Sequence, residues 1–495
     1  MVRDRSFPSK LSSFVLPPRA ISTTFIIYMA LNIALAFLTL SSPIFGLMGA
    51  LVLNLIVFFF MQPRLALPLY ILVAGPSGFL TVSSSGILSR LYIGNLLFAL
   101  IVVIWLLQGG LSERKAGAAR GEPGILVPLI CLVFIGFLSI LYSHLFPDLH
   151  VSYAFAHSDA PLLLVNLVEM ILLISLPLFT IIVPGMVHTP RDARLMLGAY
   201  IGMGLLYGLG TVFAAPLGLY SQDIILGVRR PEVLGASSSG LGITNAFFAC
   251  LAFGQMLYAR KGTTRLWLGL LTCIFAAAVV MSFGREAWVA FFLAVCVILW
   301  LRFKSPFALL LPFMVLPLLL VFAPGVLDFF DPAKAYGIDR IDIWRDAIAI
   351  WQRSPFMGVG AGNFQFFDLA YGTDVVGVAH NQFLSVLAEM GVQGLICLLL
   401  TIIMMGRVAL KRFNTALSPT GKGLALAYLG YFTALLFATF FTDSFLPSTA
   451  AGGGTGPLVG ISYSWFFLGL VLSIPNWDRE AATPDPPGKQ GDEKI

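Results

Sequence analysis

Arg285 stands in the stretch SFGREAW, a short turn between two apolar runs where little else can solvate a guanidinium. A guanidinium is a rigid fork of N–H donors matched to phosphate oxygens, so the position suits an anion clamp. The simpler alternatives are a pair with Glu286 or contact with lipid headgroups. Arg340 and Arg345 share the segment DRIDIWRDAIAIWQRSP. Five residues apart on a helix they lie about 140° apart around its axis, so they cannot both point the same way. Arg340, at the helix start, is the better candidate. Downstream, GVGAGNF sets Gly358, Gly360 and Gly362 in alternation ahead of Asn363 and Phe364. Such glycines let backbone amides approach an anion, and they serve a tight structural turn equally well. The pattern lacks Gly-Lys-Ser/Thr and no strand precedes it, so it is neither a P-loop nor a dinucleotide fingerprint. His380 immediately precedes an apolar run. Its ordinary pKa near neutrality suits a general base acting on a hydroxyl; a histidine hydrogen-bonded at a helix start is the plain alternative.

Other polar residues read as structural. Glu389 lies nine residues past His380, about 180° around and about 13 Å deeper on a regular helix, so it is no direct partner of that histidine. A buried acid bonded to a neighbouring helix fits it better, with Gly391 and Gly394 allowing close approach. His144, His150 and His157 gather with Asp148 and Asp159, but their spacing matches no metal motif and suggests a solvated loop. The five cysteines all lie in apolar runs without ligand spacing and behave as small hydrophobes.

The elements that must carry these residues are membrane spans. Of 495 residues 58% are hydrophobic and 11% charged, with a mean hydropathy of +0.91. An ordinary soluble domain is about one quarter charged. The net charge of +6 is scattered singly between apolar runs, so it is no nucleic-acid signal. With about 20 apolar residues needed per span, fourteen candidates lie near 21–40, 44–61, 66–80, 91–107, 125–146, 163–186, 194–215, 240–258, 266–282, 287–301, 307–323, 383–406, 424–441 and 457–474. Twelve is the alternative count, since the third ends at Gly75-Pro76 and suits a broken segment. The first run is long, and no convincing cleavage site follows it, so no signal peptide is expected.

Lys and Arg concentrate in alternate connections, which makes that side cytoplasmic. The expected organisation is an all-α, polytopic membrane protein of roughly 12–14 transmembrane helices. It has a cytoplasmic N-terminus (1–20), spans over 21–323, an extracytoplasmic loop at 324–382, further spans over 383–474 and a disordered cytoplasmic tail (475–495). In the long loop, Ile341, Trp344, Ile348 and Trp351 share one helical face, which suggests an amphipathic helix lying in the membrane interface. Arginines on the outer side run against the charge rule and are therefore informative: Arg229, Arg230, Arg285 and Arg340 among them.

The order SFGREAW, Arg340 with Trp344, Pro355, Gly358, Gly360, Gly362-Asn363-Phe364, His380-Asn381, Phe383-Leu384, Glu389, Gly391 and Gly394 resembles the O-antigen ligase and polymerase family of bacterial envelope glycosyltransferases. The resemblance covers residues 282–395. It implies a glycan donor on undecaprenyl diphosphate at the outer face of the inner membrane and a site facing the periplasm. The acceptor is then lipid A-core, another lipid-linked glycan or protein, with neither nucleotide, metal nor cofactor. It implies catalysis by His380 and diphosphate binding by Arg285 and Arg340, with Arg229 and Arg230 added; Gly358, Gly360, Gly362 and Asn363 form the substrate loop. A transporter or lipid-linked glycan flippase is the rival class. Transporters often carry internal repeats and midplane charges, whereas the sequence shows no clear repeat and places its charges at the rim.

Overall fold

The computed structural model describes residues 53–74, 93–107, 122–151, 162–225, 228–234, 238–307, 340–372, 377–447 and 456–482, with a few isolated positions besides. The chain divides into two units, Met1–Pro63 and Arg64–Ile495. In the first, Leu53–Met61 (α1) is helical. The second is a helical bundle: α2 (Ala66–Ala74), α3 (Ile93–Leu107), α4 (Pro123–Leu145), α5 (Leu162–Met186), α6 (Pro190–Val212), the short α7 (Ala214–Leu217), α8 (Ser238–Tyr258), α9 (Gly262–Met281), α10 (Arg285–Phe303), α11 (Arg340–Arg353), α12 (Phe364–Tyr371), α13 (Gln382–Thr415), α14 (Pro419–Thr439), α15 (Gly456–Leu472) and α16 (Ile474–Ala482).

Among the described residues eight helices are long and apolar enough to cross a membrane: α4, α5, α6, α8, α9, α10, α13 and α14. The protein is an all-α, multi-pass membrane protein. In hydrocarbon a backbone must bond to itself, and helices do so within one segment. The expected spans at 21–40 and 307–323 lie almost wholly outside the described residues. One feature departs from the helical expectation. Two strands, β1 (Tyr220–Ile225) and β2 (Val228–Pro231), pair antiparallel, Ile224 with Arg229 and Ile225 with Val228. Helical periodicity gives no warning of so short an excursion between spans.

Polar ties mark the two ends of the bundle. At one end Lys411 and Arg412 pair with Glu122 and Arg64 with Asp192, while Asp478 accepts the amides of Leu417 and Ser418. Arg260, Lys261 and Lys304 end helices there too. The opposite end holds His380 and the starts of α5, α8, α10 and α13. Between them small residues let helices touch: a Cβ at Gly254 would collide with Ala427 and the Gly423 carbonyl, and one at Gly430 with Ile298.

The long helix α13 is broken at Gly391, whose φ of 67° and ψ of −170° are non-helical. Residues 355–363 run into that break. Val392 N–H donates to the Pro355 carbonyl at 3.0 Å, Val359 N–H to Ala388 at 2.9 Å and Gly360 N–H to Glu389 at 3.0 Å. Gly358, Gly360 and Gly362 all have positive φ. The contact is backbone on backbone: a Cβ at Gly358 would strike the Glu389 carbonyl, and one at Gly391 the Phe356 carbonyl.

α11 forms as expected but turns another face inward. Ile343, Asp346, Ala347 and Ile350 are buried, while Ile341 and Ile348 of the expected apolar face are exposed. The helix is apolar on two sides, and the side that includes the small Ala347 packs against the protein. Trp344 and Trp351 are half-buried, and Trp351 packs against the cluster that holds Ala347 and Ile350.

Replacing Gly391 with alanine should therefore cost more than about 2 kcal/mol, since both φ and the Phe356 carbonyl oppose a side chain. Gly198, in α6, has open space around its would-be Cβ, and Gly198→Ala should be neutral or gain up to about 1 kcal/mol. Thermal melting of the two purified variants in detergent checks this. Equal melting temperatures would remove the interlock from the account.

Candidate active site

His380 ends the segment that leads into α13. It is half-buried and holds a φ of 48°, a left-handed backbone rare for residues with a side chain. Such strain persists when surrounding structure over-determines it. Here the constraints are visible. Asn381 caps α13, its Oδ1 accepting from Phe383 N–H at 3.1 Å and Leu384 N–H at 3.2 Å. The His380 backbone N–H donates to the Asp443 carboxylate, which also accepts from Ser385 Oγ at 2.8 Å. Gln382 Oε1 accepts the amides of Phe445 and Leu446, and the rings of Phe383 and Phe440 lie 4.7 Å apart. Segment 440–446 is thus lashed to the first turn of α13.

Arg340 opens α11 with its Cζ 5.7 Å from the centre of the Phe441 ring. It lies close enough to His380 for its charge to act there. Burial first, and then the Arg340 guanidinium, push the imidazole pKa below its ordinary 6.5. The imidazole is therefore neutral, and able to accept a proton, at neutral pH. Asp443 keeps part of its surface open. Even so, desolvation outweighs its hydrogen bonds from Ser385 and the His380 amide and lifts its carboxyl to about 6.

Arg285 is the first residue of α10. Phe283 at a φ of 55° and Gly284 make the turn before it, which Ser282 fixes through Val279 and the Gly284 amide. Trp288 Nε1 reaches back to the carbonyls of Val279 and Val280 at 3.0 and 3.1 Å. A cation here adds to the positive end of the helix dipole, and that arrangement favours an incoming anion. α10 and α14 pack together where Gly430 meets Ala294 and Ile298. Arg285 lies nine residues beyond Ala294, and Thr439 nine beyond Gly430. At 1.5 Å per residue both sit about 14 Å farther along, so Arg285 shares its level with segment 440–446.

Arg229 is exposed and Arg230 half-buried on β2. The strand pair leads into α8, whose Gly242 packs against Ser282 and Ala287. That contact places the Arg229-Arg230 strand and the Arg285 turn at the same end of the bundle. Arg340 and His380 lie near enough for the guanidinium charge to act on the imidazole.

The glycine segment behaves differently. Residues 358–363 are buried, and their amides are used inside the protein. Gly358 N–H donates to Ser354, Ala361 N–H to Ser139 Oγ, Asn363 N–H to Gly360, and those of Gly362 and Phe364 to the Glu389 carboxylate. Asn363 Nδ2 donates to Ser143 Oγ and Val359 O, and its Oδ1 accepts from Asn166 at 2.8 Å. Of the two readings open from the sequence, the amide pattern matches the tight structural turn. Among the described residues no group of three or more His, Cys, Asp and Glu is placed to hold a metal ion.

Asp443 and Ser385 were not singled out from the sequence. One signal marks Asp443: it is the only charged side chain between Lys422 and Asp478. A lone charge in so apolar a stretch is a functional candidate by default.

Residues 268–399 match the family described as O-antigen ligase. The match runs from α9 into the second half of α13. It takes in Arg285, Arg340, the glycine segment and His380, and leaves out Arg229, Arg230 and Asp443. No curated protein matches the chain. The family supports O-antigen ligase-like glycan transfer in the membrane.

If His380 takes the proton in such transfer, the acid limb of kcat/KM should have its midpoint below 6.5, because a protonated imidazole cannot accept one. Arg340→Gln removes a like charge and should move that midpoint upward. Asp443 titrates nearby, so Asp443→Asn separates the two: a limb that survives in Asp443→Asn and shifts in Arg340→Gln belongs to His380. A wild-type midpoint above 6.5, or one unmoved by Arg340→Gln, contradicts the assignment.

Proposed function

We propose, from this match to the O-antigen ligase and polymerase family, that the chain moves a glycan from undecaprenyl diphosphate to an acceptor at the outer face of the inner membrane. The His380 end faces the periplasm, and the end rich in Lys and Arg faces the cytoplasm, as the charge rule requires. The acceptor hydroxyl gives its proton to the His380 imidazole as its oxygen bonds to the anomeric carbon. The bond from that carbon to the diphosphate breaks, and its electron pair leaves on the phosphate oxygen. Negative charge grows on the diphosphate as it departs. Arg285 and Arg340 meet that charge, Arg229 and Arg230 add to it, and the helix starts at α10 and α13 contribute their dipoles. Gly358, Gly360, Gly362 and Asn363 act at one remove by seating the segment that positions α12 and α13. The reading is carried by His380: a histidine held in a left-handed backbone, kept neutral by burial and by a neighbouring arginine.

Removing one donor to a developing charge costs about 10²–10³-fold in rate, and removing a general base about 10²–10⁴-fold. Arg285→Ala and His380→Gln should each show such a loss in purified protein given a lipid-diphosphate glycan donor. His380→Gln should bind donor as the wild type does, while Arg285→Lys should retain partial activity with weaker donor binding. Activity should persist in excess EDTA. A folded His380→Gln protein with near wild-type turnover returns His380 to a helix-start hydrogen bonder. A reporter fused after Tyr371 should signal periplasm and one after Lys422 cytoplasm. The rival transporter reading predicts flux of lipid-linked glycan across proteoliposomes with no new glycosidic bond. Glycan profiles of a deletion strain separate ligase from polymerase. Lipid-linked polymer accumulates without the first, and single repeat units persist without the second.

A further inference from the structure

A second polar site lies at the far end of α11. A cavity of about 130 Å³ is lined by Tyr142, Ser143, Asp148, Arg353, Asn363 and Phe367, among others. Arg353 lies over the Tyr371 ring, 3.4 Å from its centre, and its Nη1 is 4.0 Å from Asp148 Oδ2. Tyr371 OH lies 2.8 Å from both oxygens of Asp148, and the amides of His150 and Val151 donate to Oδ1. Asp148 is thereby fixed in place yet 24% exposed, and Arg353 is 44% exposed.

The chemistry here differs from that at His380. Arg353 and Asp148 offset each other, so the cavity carries no excess positive charge to draw a phosphate. What it offers is a donor fork, an acceptor carboxylate and a hydroxyl beside the aromatic walls of Tyr142 and Phe367. A sugar ring presents the complement: hydroxyls that both donate and accept around its edge, and C–H faces that pack on aromatic rings. Charge-assisted hydrogen bonds to such hydroxyls are the stronger class. The volume is well below the roughly 300 Å³ of a site for a whole drug-sized ligand, so it admits one ring and not a chain. Arg353 stands thirteen residues from Arg340 on one helix, about 20 Å away. An extended saccharide can reach from one to the other.

We propose that this cavity is a subsite for one sugar ring of the glycan, several units from the bond being made. The proposal rests on the glycan-transfer reading. Such a subsite rewards long glycans and is indifferent to short ones.

The test uses Asp148→Asn and Arg353→Gln in the purified full chain. Two lipid-diphosphate donors are compared, one bearing a single sugar and one bearing several repeat units, and then acceptors of the same two lengths. Losing one charge-assisted hydrogen bond should raise KM about ten-fold or more for the long substrate. Values of kcat, and KM for the short substrate, should not change. The substrate whose length matters, donor or acceptor, identifies which glycan the cavity holds. A second arm does not depend on turnover. Free glycan released from the donor by mild acid is titrated by calorimetry onto His380→Gln protein, with and without Asp148→Asn. Binding that Asp148→Asn weakens supports the subsite even if no variant transfers anything. Equal binding in both proteins overturns it. So does a lowered melting temperature with both substrate lengths impaired alike, which makes Asp148, Tyr371 and Arg353 a structural tie alone.

Discussion

Backbone meets backbone where segment 355–363 crosses the break in α13, and the position of every candidate residue on α11, α12 and α13 depends on that meeting. A helix broken at Gly391 frees amides and carbonyls that hydrocarbon cannot solvate. The segment satisfies them: Pro355 accepts from Val392, while Ala388 and Glu389 accept from Val359 and Gly360. The exchange is reciprocal, because the segment is itself irregular backbone buried among helices. Its own amides find Ser139, Glu389 and Gly360. Glu389 is the hinge of the arrangement. A carboxyl group buried this far would be costly without partners, and the amides of Gly362 and Phe364 bond to it. The break, the three positive-φ glycines and the buried acid therefore need one another.

From that fixed point the site is built outward by short-range ties. Phe364 starts α12, and its ring joins Val359, Ala379 and Ala388 in one buried cluster that also holds Ala347 and Ile350 of α11. Ala379 is the residue before His380. The cluster thus transmits the position of the glycine segment to the imidazole without any direct bond between them. Asp443 then grips His380 from the other side. Two independent constraints on one residue explain how it keeps a left-handed φ without being glycine.

Much of this was legible in the sequence, and what was not has physical reasons. The start of α11 at Arg340 and the placing of Glu389 as a structural acid follow from local rules of helix starts, periodicity and burial. The inward face of α11 was not legible, because periodicity finds apolar faces and does not say which one touches protein. Ile341 and Ile348 are as apolar as Ile343 and Ile350. Only the neighbour decides, and Ala347 is the residue small enough to invite one. The pairing of β1 with β2 is set by a two-strand register that no helical window detects. Asp443 lies sixty-three residues from His380, so no motif spacing links them; its isolation among neutral residues is the one local mark it carries.

The two faces of α11 also bear on where the arginine stands. The inward face is anchored in the cluster beneath the glycine segment, which fixes the height of the helix relative to α13. The outward face offers Ile341 and Ile348 to whatever surrounds the protein. In water that face is unfavourable, and at the boundary between hydrocarbon and headgroups it is at home. A helix pinned from inside and partitioned from outside has little freedom in depth. On the proposed function, that would hold Arg340, at its first turn, near the level at which a lipid-borne diphosphate emerges from the bilayer. Replacing Ile341 or Ile348 by a charged residue leaves the inner contacts untouched, so it bears on how deep the helix lies and not on whether it folds.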